Sequence, residues 1–210
     1  MNQEIFCPNI KYDIFENDNM WKDIPPAIKR FHKADGSDPA DYNTSLKTCF
    51  NKENLYFKFI CNDNIILSEY KNKGDPVYKQ DAVEVFLAPK TKKRYFEIDI
   101  SPKNVVYDAL IKNNLQGDQF EGDPQWTCRG LRTKVIKKES DSTNFGDWEA
   151  LFSIPFKSLA AKRPEKRESW YANFYRIKRK PQEEFSCWQP TKTDPANFHI
   201  PKFFGRIIFT

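Results

Sequence analysis

The stretch VYKQDAVEVFLAPKTKKRYFEIDISP, residues 77–102, decides the fold. Within it, residues 82–87 and 95–100 each alternate between a row of apolar side chains and a mixed row that carries the acids. A period of two is typical of a β-strand whose two faces differ. The polar link 89–93 begins with a proline, which does not extend a central strand, so the pattern predicts an antiparallel hairpin. In this hairpin Glu84, Glu97 and Asp99 would share one face.

Length and composition favour one all-β domain. A chain of 210 residues suffices for one large β domain, and its 18 Phe, 9 Tyr and 5 Trp suit half-buried pleated surfaces. The net charge of +5 comes from 34 basic and 29 acidic residues that are interspersed, which argues against nucleic-acid binding. No apolar run approaches the roughly 20 residues that a membrane helix requires. We therefore expect neither a nucleic-acid partner nor a membrane span.

The rest of the chain repeats the strand pattern at short spacing. Residues 1–43 are rich in turn signals and predict an irregular wrapping arm, anchored by Trp21. Further strands are predicted at 44–50, 55–62, 104–111, 126–137, 147–154, 170–179 and 204–209, a long loop at 116–124, and one helical turn at 155–159. Nine or ten strands with long loops and little helix predict that residues 1–210 form a single antiparallel β-sandwich of jelly-roll-like type.

Several short segments, in a fixed order, carry a family resemblance. They are Leu55-Tyr56-Phe57, Tyr78 with Asp81-Ala82-Val83-Glu84-Val85-Phe86-Leu87, Trp148-Glu149-Ala150, Trp170-Tyr171-Ala172-Asn173-Phe174-Tyr175-Arg176, and Phe198-His199-Ile200-Pro201. This series resembles the family 9 carbohydrate-binding modules of the DOMON-like superfamily, from about residue 21 to residue 209. The resemblance implies a β-sandwich that binds sugars and has no catalytic activity.

The resemblance also implies a binding site. Its sugar clamp of two aromatic rings falls on Tyr78 and Phe198, where the family pattern has tryptophans. The strand glutamate of the family matches Glu84, while Glu97 stands where the pattern has an arginine. Three more residues belong to the matching motifs and complete the predicted carbohydrate-binding set: Asn197, His199 and Arg176.

Such a set suits a sugar on chemical grounds. A pyranose has an apolar face that packs on an aromatic ring, and its hydroxyls need paired acceptors, which carboxylates supply. The opposing interpretation is that Tyr78 and Phe198 only fill the core and that Glu84 and Glu97 lie on an ordinary solvated sheet face. A glycoside hydrolase using Glu84 and Glu97, with Asp99 nearby, is a catalytic alternative.

Haem binding is a second alternative, because some DOMON-like proteins hold haem. The available axial donors are Met1, Met20, His32 and His199. Relatives can also carry structural calcium, for which loop-edge oxygen donors exist without indicating a ligand set: Asp63, Asp75, Asp81 and Asp108.

Cysteines and targeting signals leave further points open. The five cysteines show no CxxC spacing, so we expect buried thiols, with a Cys49–Cys61 bridge as the alternative. The resemblance implies an extracellular or periplasmic protein that binds mono- or oligosaccharides. It also implies a monomer that acts alone or as an accessory of a glycoside hydrolase. The first residues of the sequence show neither a basic nor an apolar signal-peptide region, so a cytoplasmic location stays open as an expectation.

Overall fold

The computed structural model describes residues 3–17, 19–115, 117–123, 125–138 and 146–210. Its β-strands are β1 (Glu4–Cys7), β2 (His32–Lys33), β3 (Thr44–Phe50), β4 (Asn54–Cys61), β5 (Ala82–Thr91), β6 (Arg94–Ile100), β7 (Val106–Asn113), β8 (Phe120–Asp123), β9 (Arg132–Lys137), β10 (Trp148–Pro155), β11 (Ser169–Lys178), β12 (Glu184–Cys187) and β13 (Gly205–Phe209). Short 3₁₀ turns span Met20–Lys22, Val77–Lys79, Phe156–Leu159 and Pro201–Phe203.

The strands form two sheets that pack as a sandwich, which confirms the predicted all-β class. The larger sheet has the order β1-β13-β11-β5-β6-β7-β8, with β12 added to β11 and β2 added to β12. The smaller sheet has the order β3-β4-β10-β9. Its neighbouring strands are antiparallel, as predicted. One pair in the larger sheet, β1 with β13, is parallel, so the sandwich is not antiparallel throughout.

The core lies between the sheets and is rich in aromatic rings. Phe174 of β11 meets Phe57 of β4 with ring centroids 5.1 Å apart, and Phe59 meets Phe152 of β10 at 5.5 Å. Burying one such side chain contributes roughly 1.5–3 kcal/mol. The hairpin β5–β6 turns its aliphatic row toward this core, because Val85 pairs with Ile98 in the predicted alternation.

The outer face of the larger sheet is also covered. A second apolar cluster forms there where the segment 196–204 folds back over the sheet, and its largest members are Phe86, Tyr95, Tyr175, Phe198 and Phe204. Because both faces of the sheet are buried, the acidic row of β5 and β6 is withdrawn from bulk water. The interpretation that Glu84 and Glu97 lie on an ordinary solvated sheet face is therefore wrong, because they are only 2% and 4% exposed.

Some predicted boundaries differ from the structure. The segment 1–43 contains β1 and β2, so this segment is not wholly irregular; Trp21 in it is buried, as an anchor would be. The predicted loop 116–124, which includes two residues outside the described ranges, holds the short strand β8. The strand expected over 126–137 begins at residue 132.

Two further features concern cysteines and membrane segments. All five cysteines are buried free thiols, so no Cys49–Cys61 bridge forms. Within the described ranges, no helix has the length and apolar character that crossing a bilayer requires.

Candidate functional site

A hollow of about 500 Å³ lies on the outer face of the larger sheet. Strands β5, β6, β7 and β8 supply one part of its lining, and the turn at Val77–Lys79 and the segment 196–199 supply another. Six of the seven site residues predicted from the sequence line it: Tyr78, Glu84, Glu97, Asn197, Phe198 and His199. The fold thus brings the strand carboxylates together with residues from two distant loops.

Two pairs of rings form the accessible aromatic lining of the hollow. Tyr78, 36% exposed, meets Tyr107 edge to face with centroids 5.1 Å apart. Phe120 stacks on the imidazole of His199 at 3.8 Å with an angle of 14° between the planes, and its own ring is 48% exposed. Tyr107 and Phe120 were missed by sequence reasoning. An aromatic residue within an otherwise polar predicted loop is the sequence signal that could have pointed to Phe120.

Phe198 has a different position from Tyr78. Its ring is only 8% exposed and stacks on Tyr175 with centroids 4.2 Å apart. The Tyr175 hydroxyl donates a 3.0 Å hydrogen bond to the Phe198 carbonyl, which fixes the backbone there. Phe198 therefore offers the hollow a small part of its surface, as part of the floor, whereas Tyr78 and Phe120 offer open ring area.

Asn197 and His199 are held by hydrogen bonds within the loop. The Asn197 amide nitrogen donates to the Gly117 carbonyl at 2.9 Å, and its side-chain oxygen accepts from the His199 N–H at 2.9 Å. Nδ1 of His199 lies 2.7 Å from the Tyr95 hydroxyl. Burial lowers the pKa of His199 to about 4, so the imidazole is neutral at pH 7. Asn197 thus shapes the loop, while His199 supports the ring of Phe120.

Three carboxylates, Glu84, Glu97 and Asp99, converge beneath the hollow; we call them the carboxylate cluster. Glu84 on β5 pairs with Asp99 on β6, and Glu97 is two residues away on the same face. One oxygen of each lies within 4.8 Å of the others. Burial, reinforced by the neighbouring carboxylates, raises the pKa of Glu84 and Asp99 well above the usual range, and burial raises that of Glu97 to about 8.

Arg176, the seventh predicted residue, does not reach the hollow. It is buried on the face of β11 that points to the smaller sheet. Its guanidinium donates 2.8 Å hydrogen bonds to the Asn62 carbonyl and to Asp63 Oδ2, where Lys178 also pairs with Asp63. The reason is strand geometry: Tyr175 points to the outer face of the larger sheet, so its neighbour Arg176 must point to the opposite side. Arg176 is a structural residue and leaves the candidate site.

The four aspartates considered for calcium lie in three environments. Asp63 and Asp81 pair with Lys178, Asp75 accepts the backbone N–H groups of residues 71 and 72, and Asp108 accepts from residues 127 and 128. Within the part of the chain that the structure describes, the carboxylate cluster is the grouping with metal-ligand spacing. It shares no member with those four residues.

The candidate haem donors are also apart from one another. Met20 packs against the cluster around Trp21, His32 is exposed on β2, and His199 is stacked under Phe120. Met1 lies outside the described residues. The described donors therefore do not converge on an apolar pocket that holds a haem.

Fold and hollow together define a class of protein: a two-sheet β-sandwich with a ring-lined, acid-floored recess on its larger sheet. A family model described as "Carbohydrate family 9 binding domain-like" matches residues 15–210. The chain therefore belongs to this family, which confirms the resemblance found in its sequence.

Several known proteins resemble this chain in sequence or in fold. An "Extracellular protein" of Arthroderma benhamiae is 26% identical over 181 residues, which cover 79% of this chain and 78% of the relative. A candidate carbohydrate-binding protein of Bacteroides uniformis superposes with a TM-score of 0.80 at 14% identity over the full length of both chains. A family 9 carbohydrate-binding module of Caldicellulosiruptor kristjanssonii, in complex with cellotriose, has a TM-score of 0.63 at 17% identity, covering 99% of this chain and 94% of its own. The same module was solved with glucose.

Proposed function

We propose that this protein binds carbohydrate non-covalently in the hollow on its larger sheet. One observation carries the proposal: the partly exposed rings of Tyr78 and Phe120 line the same hollow as Glu84 and Glu97. Ring faces suit the apolar C–H surface of a pyranose, and carboxylates suit its hydroxyls. Membership of a carbohydrate-binding family, with a structural neighbour in complex with cellotriose, supports the same function.

In this proposal the sugar is not clamped between Tyr78 and Phe198 as two exposed rings. Tyr78 offers the accessible ring of the predicted pair, and Phe198 forms the floor beside it. Phe120, braced by His199, takes the role of the second accessible ring. Aromatic contacts of this kind contribute about 0.5–1.5 kcal/mol each beyond the area that they bury.

Hydrolysis is less well supported by the arrangement of the acids. A glycosidase needs an acid and a base or nucleophile on either side of the scissile bond. Here Glu84, Glu97 and Asp99 lie side by side on one face of neighbouring strands, so that a sugar in the hollow contacts them from one side. This geometry favours binding without bond cleavage.

An extracellular setting fits this function. The Arthroderma benhamiae relative is an extracellular protein, and complex carbohydrates are found outside cells. In our proposal the protein works there as a monomeric sugar-binding module in polysaccharide utilisation, alone or beside a glycoside hydrolase.

Calorimetric titration tests the function directly. Wild-type protein is titrated with glucose, cellotriose and a panel of other oligosaccharides, and the best ligand is then measured with Tyr78→Ala and Phe120→Ala. Each variant is expected to bind about 5- to 30-fold more weakly, since losing one sugar-stacking ring costs on the order of 1–2 kcal/mol. Tyr12→Ala is the matched control, because Tyr12 is an exposed ring that does not line the hollow. Unchanged affinity in both hollow variants would move the sugar site elsewhere.

A further inference from the structure

The acidic groups under the hollow lack a basic partner. None of the ion pairs between described residues involves Glu84, Glu97 or Asp99. The cation that influences Glu84 from nearby is Arg179, but its guanidinium donates to Glu183 and to the Tyr78 carbonyl. Although the chain has more basic than acidic residues, no basic residue of the described part forms an ion pair with these three acids.

Asp99 is the most deeply buried of the three acids. Its side chain is completely buried, no N–H or hydroxyl group of the described residues donates to either carboxylate oxygen, and its close polar neighbour is the carboxyl of Glu97. Burial raises the pKa of all three acids, so in the free protein they hold protons, and a bound cation would take the place of those protons. An oxygen of Asp99 lies within 4.8 Å of oxygens of Glu84 and Glu97, both of which line the hollow. Asp99 therefore lies next to two acids that line the ligand site, although it does not line the hollow itself.

From this arrangement we infer that the preferred ligand is a sugar with a protonated amino group, bound with its ammonium on Glu84 and Glu97 and with Asp99 behind them. The inference rests on the proposed function. It names the chemical class of sugar that the hollow selects.

An ammonium group matches the acceptors in number and size. It carries three N–H donors and no acceptor, and the carboxylate cluster presents three acceptor groups. Because the three oxygens lie within 4.8 Å of one another, one small group between them can contact all three. A neutral sugar hydroxyl has one donor and no charge, so it cannot replace the protons that the cluster holds.

The walls of the hollow favour an organic cation over a metal ion. Tyr78, Tyr107 and Phe120 line it, and cations are attracted to aromatic ring faces. Calcium takes 6–8 oxygen ligands, often including backbone carbonyls. The backbone of β5 and β6 is engaged in the sheet ladder around Glu84 and Asp99, so it has no carbonyls to spare for a metal.

Three β-1,4-linked trisaccharides that differ only at carbon 2 provide the test. Cellotriose has a hydroxyl there, the glucosamine trimer an amino group, and the N-acetylglucosamine trimer an uncharged acetamide. Titrated into the full chain at pH 7 with EDTA present, the glucosamine trimer is expected to bind at least about tenfold tighter than either of the others, because charge-assisted hydrogen bonds are roughly twice as strong as neutral ones.

Isosteric variants connect this preference to the acids. Glu97→Gln and Glu84→Gln keep the shape of the side chain but cannot ionise, so each is expected to abolish most of the preference for the glucosamine trimer. Glu121→Gln is the matched control, since Glu121 is an exposed residue of β8 between the hollow-lining residues Phe120 and Gly122. Circular dichroism checks the fold of each variant, and the trisaccharide comparison on the wild type needs no variant.

The outcomes separate the inference from the function on which it rests. Equal or tighter binding of cellotriose overturns the amino-sugar inference and leaves carbohydrate binding standing. Binding that appears only when calcium replaces EDTA assigns the carboxylate cluster to a metal and also overturns it. If none of the trisaccharides, nor any sugar of the wider panel, binds, the proposed function itself is overturned.

Discussion

The hydroxyl of Tyr95 lies 2.7 Å from Nδ1 of His199, which ties the central strand β6 to the loop that borders the hollow. The side-chain amide of Asn113 donates to the same hydroxyl at 3.4 Å and to the His199 carbonyl at 2.8 Å. Because the amide nitrogen can only donate, the tyrosine proton is available for Nδ1, which leaves the imidazole proton on Nε2. The Phe120 ring rests on the imidazole so oriented.

Tyr95→Phe is expected to loosen this loop. The change leaves Nδ1 of His199 and one Asn113 donor without a partner, at a cost of about 1–3 kcal/mol in the free energy of unfolding. Sugar affinity is expected to fall as well, because His199 braces Phe120 and borders Phe198. Urea denaturation and calorimetry measure the two effects. Tyr12→Phe, on an exposed ring, is the control, and a Tyr95→Phe protein as stable as that control would contradict the importance of the bond.

The carboxylate cluster predicts a distinctive pH dependence of stability. Burial raises the pKa of Glu97 to about 8 from 4.5, so between these values the folded protein holds a proton that the unfolded chain has released. The free energy of unfolding of the wild type should therefore fall as the pH rises from about 5 to 8, by at most about 1.4 kcal/mol per pH unit for this group. Buried Glu84 and Asp99 act in the same direction.

Glu97→Gln should weaken that dependence. Glutamine resembles the protonated carboxyl, so wild type and variant are expected to have similar stability at pH 5 and the variant to be the more stable at pH 8. Other groups that face the cluster are shared by both proteins and cancel in the comparison: Tyr78, Tyr95, Tyr107, Tyr175, Asp108, Arg179 and His199. Denaturation curves at four pH values test this. Parallel curves would mean that Glu97 is ionised in the folded protein throughout.

Much of the fold was predictable from local periodicity. The alternation in β5 and β6 gave the hairpin and the shared face of Glu84, Glu97 and Asp99, because a strand can sort its residues only in two ways. Strand β8 was missed, since it has four residues, one of them Gly122, and this composition is also typical of a loop. The burial of the acidic face was missed for another reason. It depends on the segment 196–204 folding back, a contact distant in sequence that no local pattern encodes.

The same distinction between local patterns and contacts distant in sequence applies to the site residues. The motif predicted that Tyr78 and Glu84 lie together, and both line the hollow, whereas Phe120, which lines it too, was missed with its strand. The expectation for Arg176 ignored the period of two: Phe174, two residues earlier, belongs to the core row, so Arg176 must point the same way. Arg176 is adjacent to Tyr175 in the sequence, but its side chain lies on the opposite face of the sheet from the hollow.

That position of Arg176 leads to a last prediction, on Asp63→Asn. Asp63 is buried, accepts 2.8 Å contacts from Arg176 and Lys178, and accepts a 3.1 Å hydrogen bond from the Trp148 indole. Removing its charge leaves two buried cations short of a partner, so we expect a loss of about 3–5 kcal/mol in the free energy of unfolding. Affinity for cellotriose in the folded variant should be unchanged, because this network lies on the core side of β11. Asp41→Asn, which breaks the exposed pair with Lys33, is the control and should change stability little. A folded Asp63→Asn protein with tenfold weaker sugar binding would return Arg176 to the site.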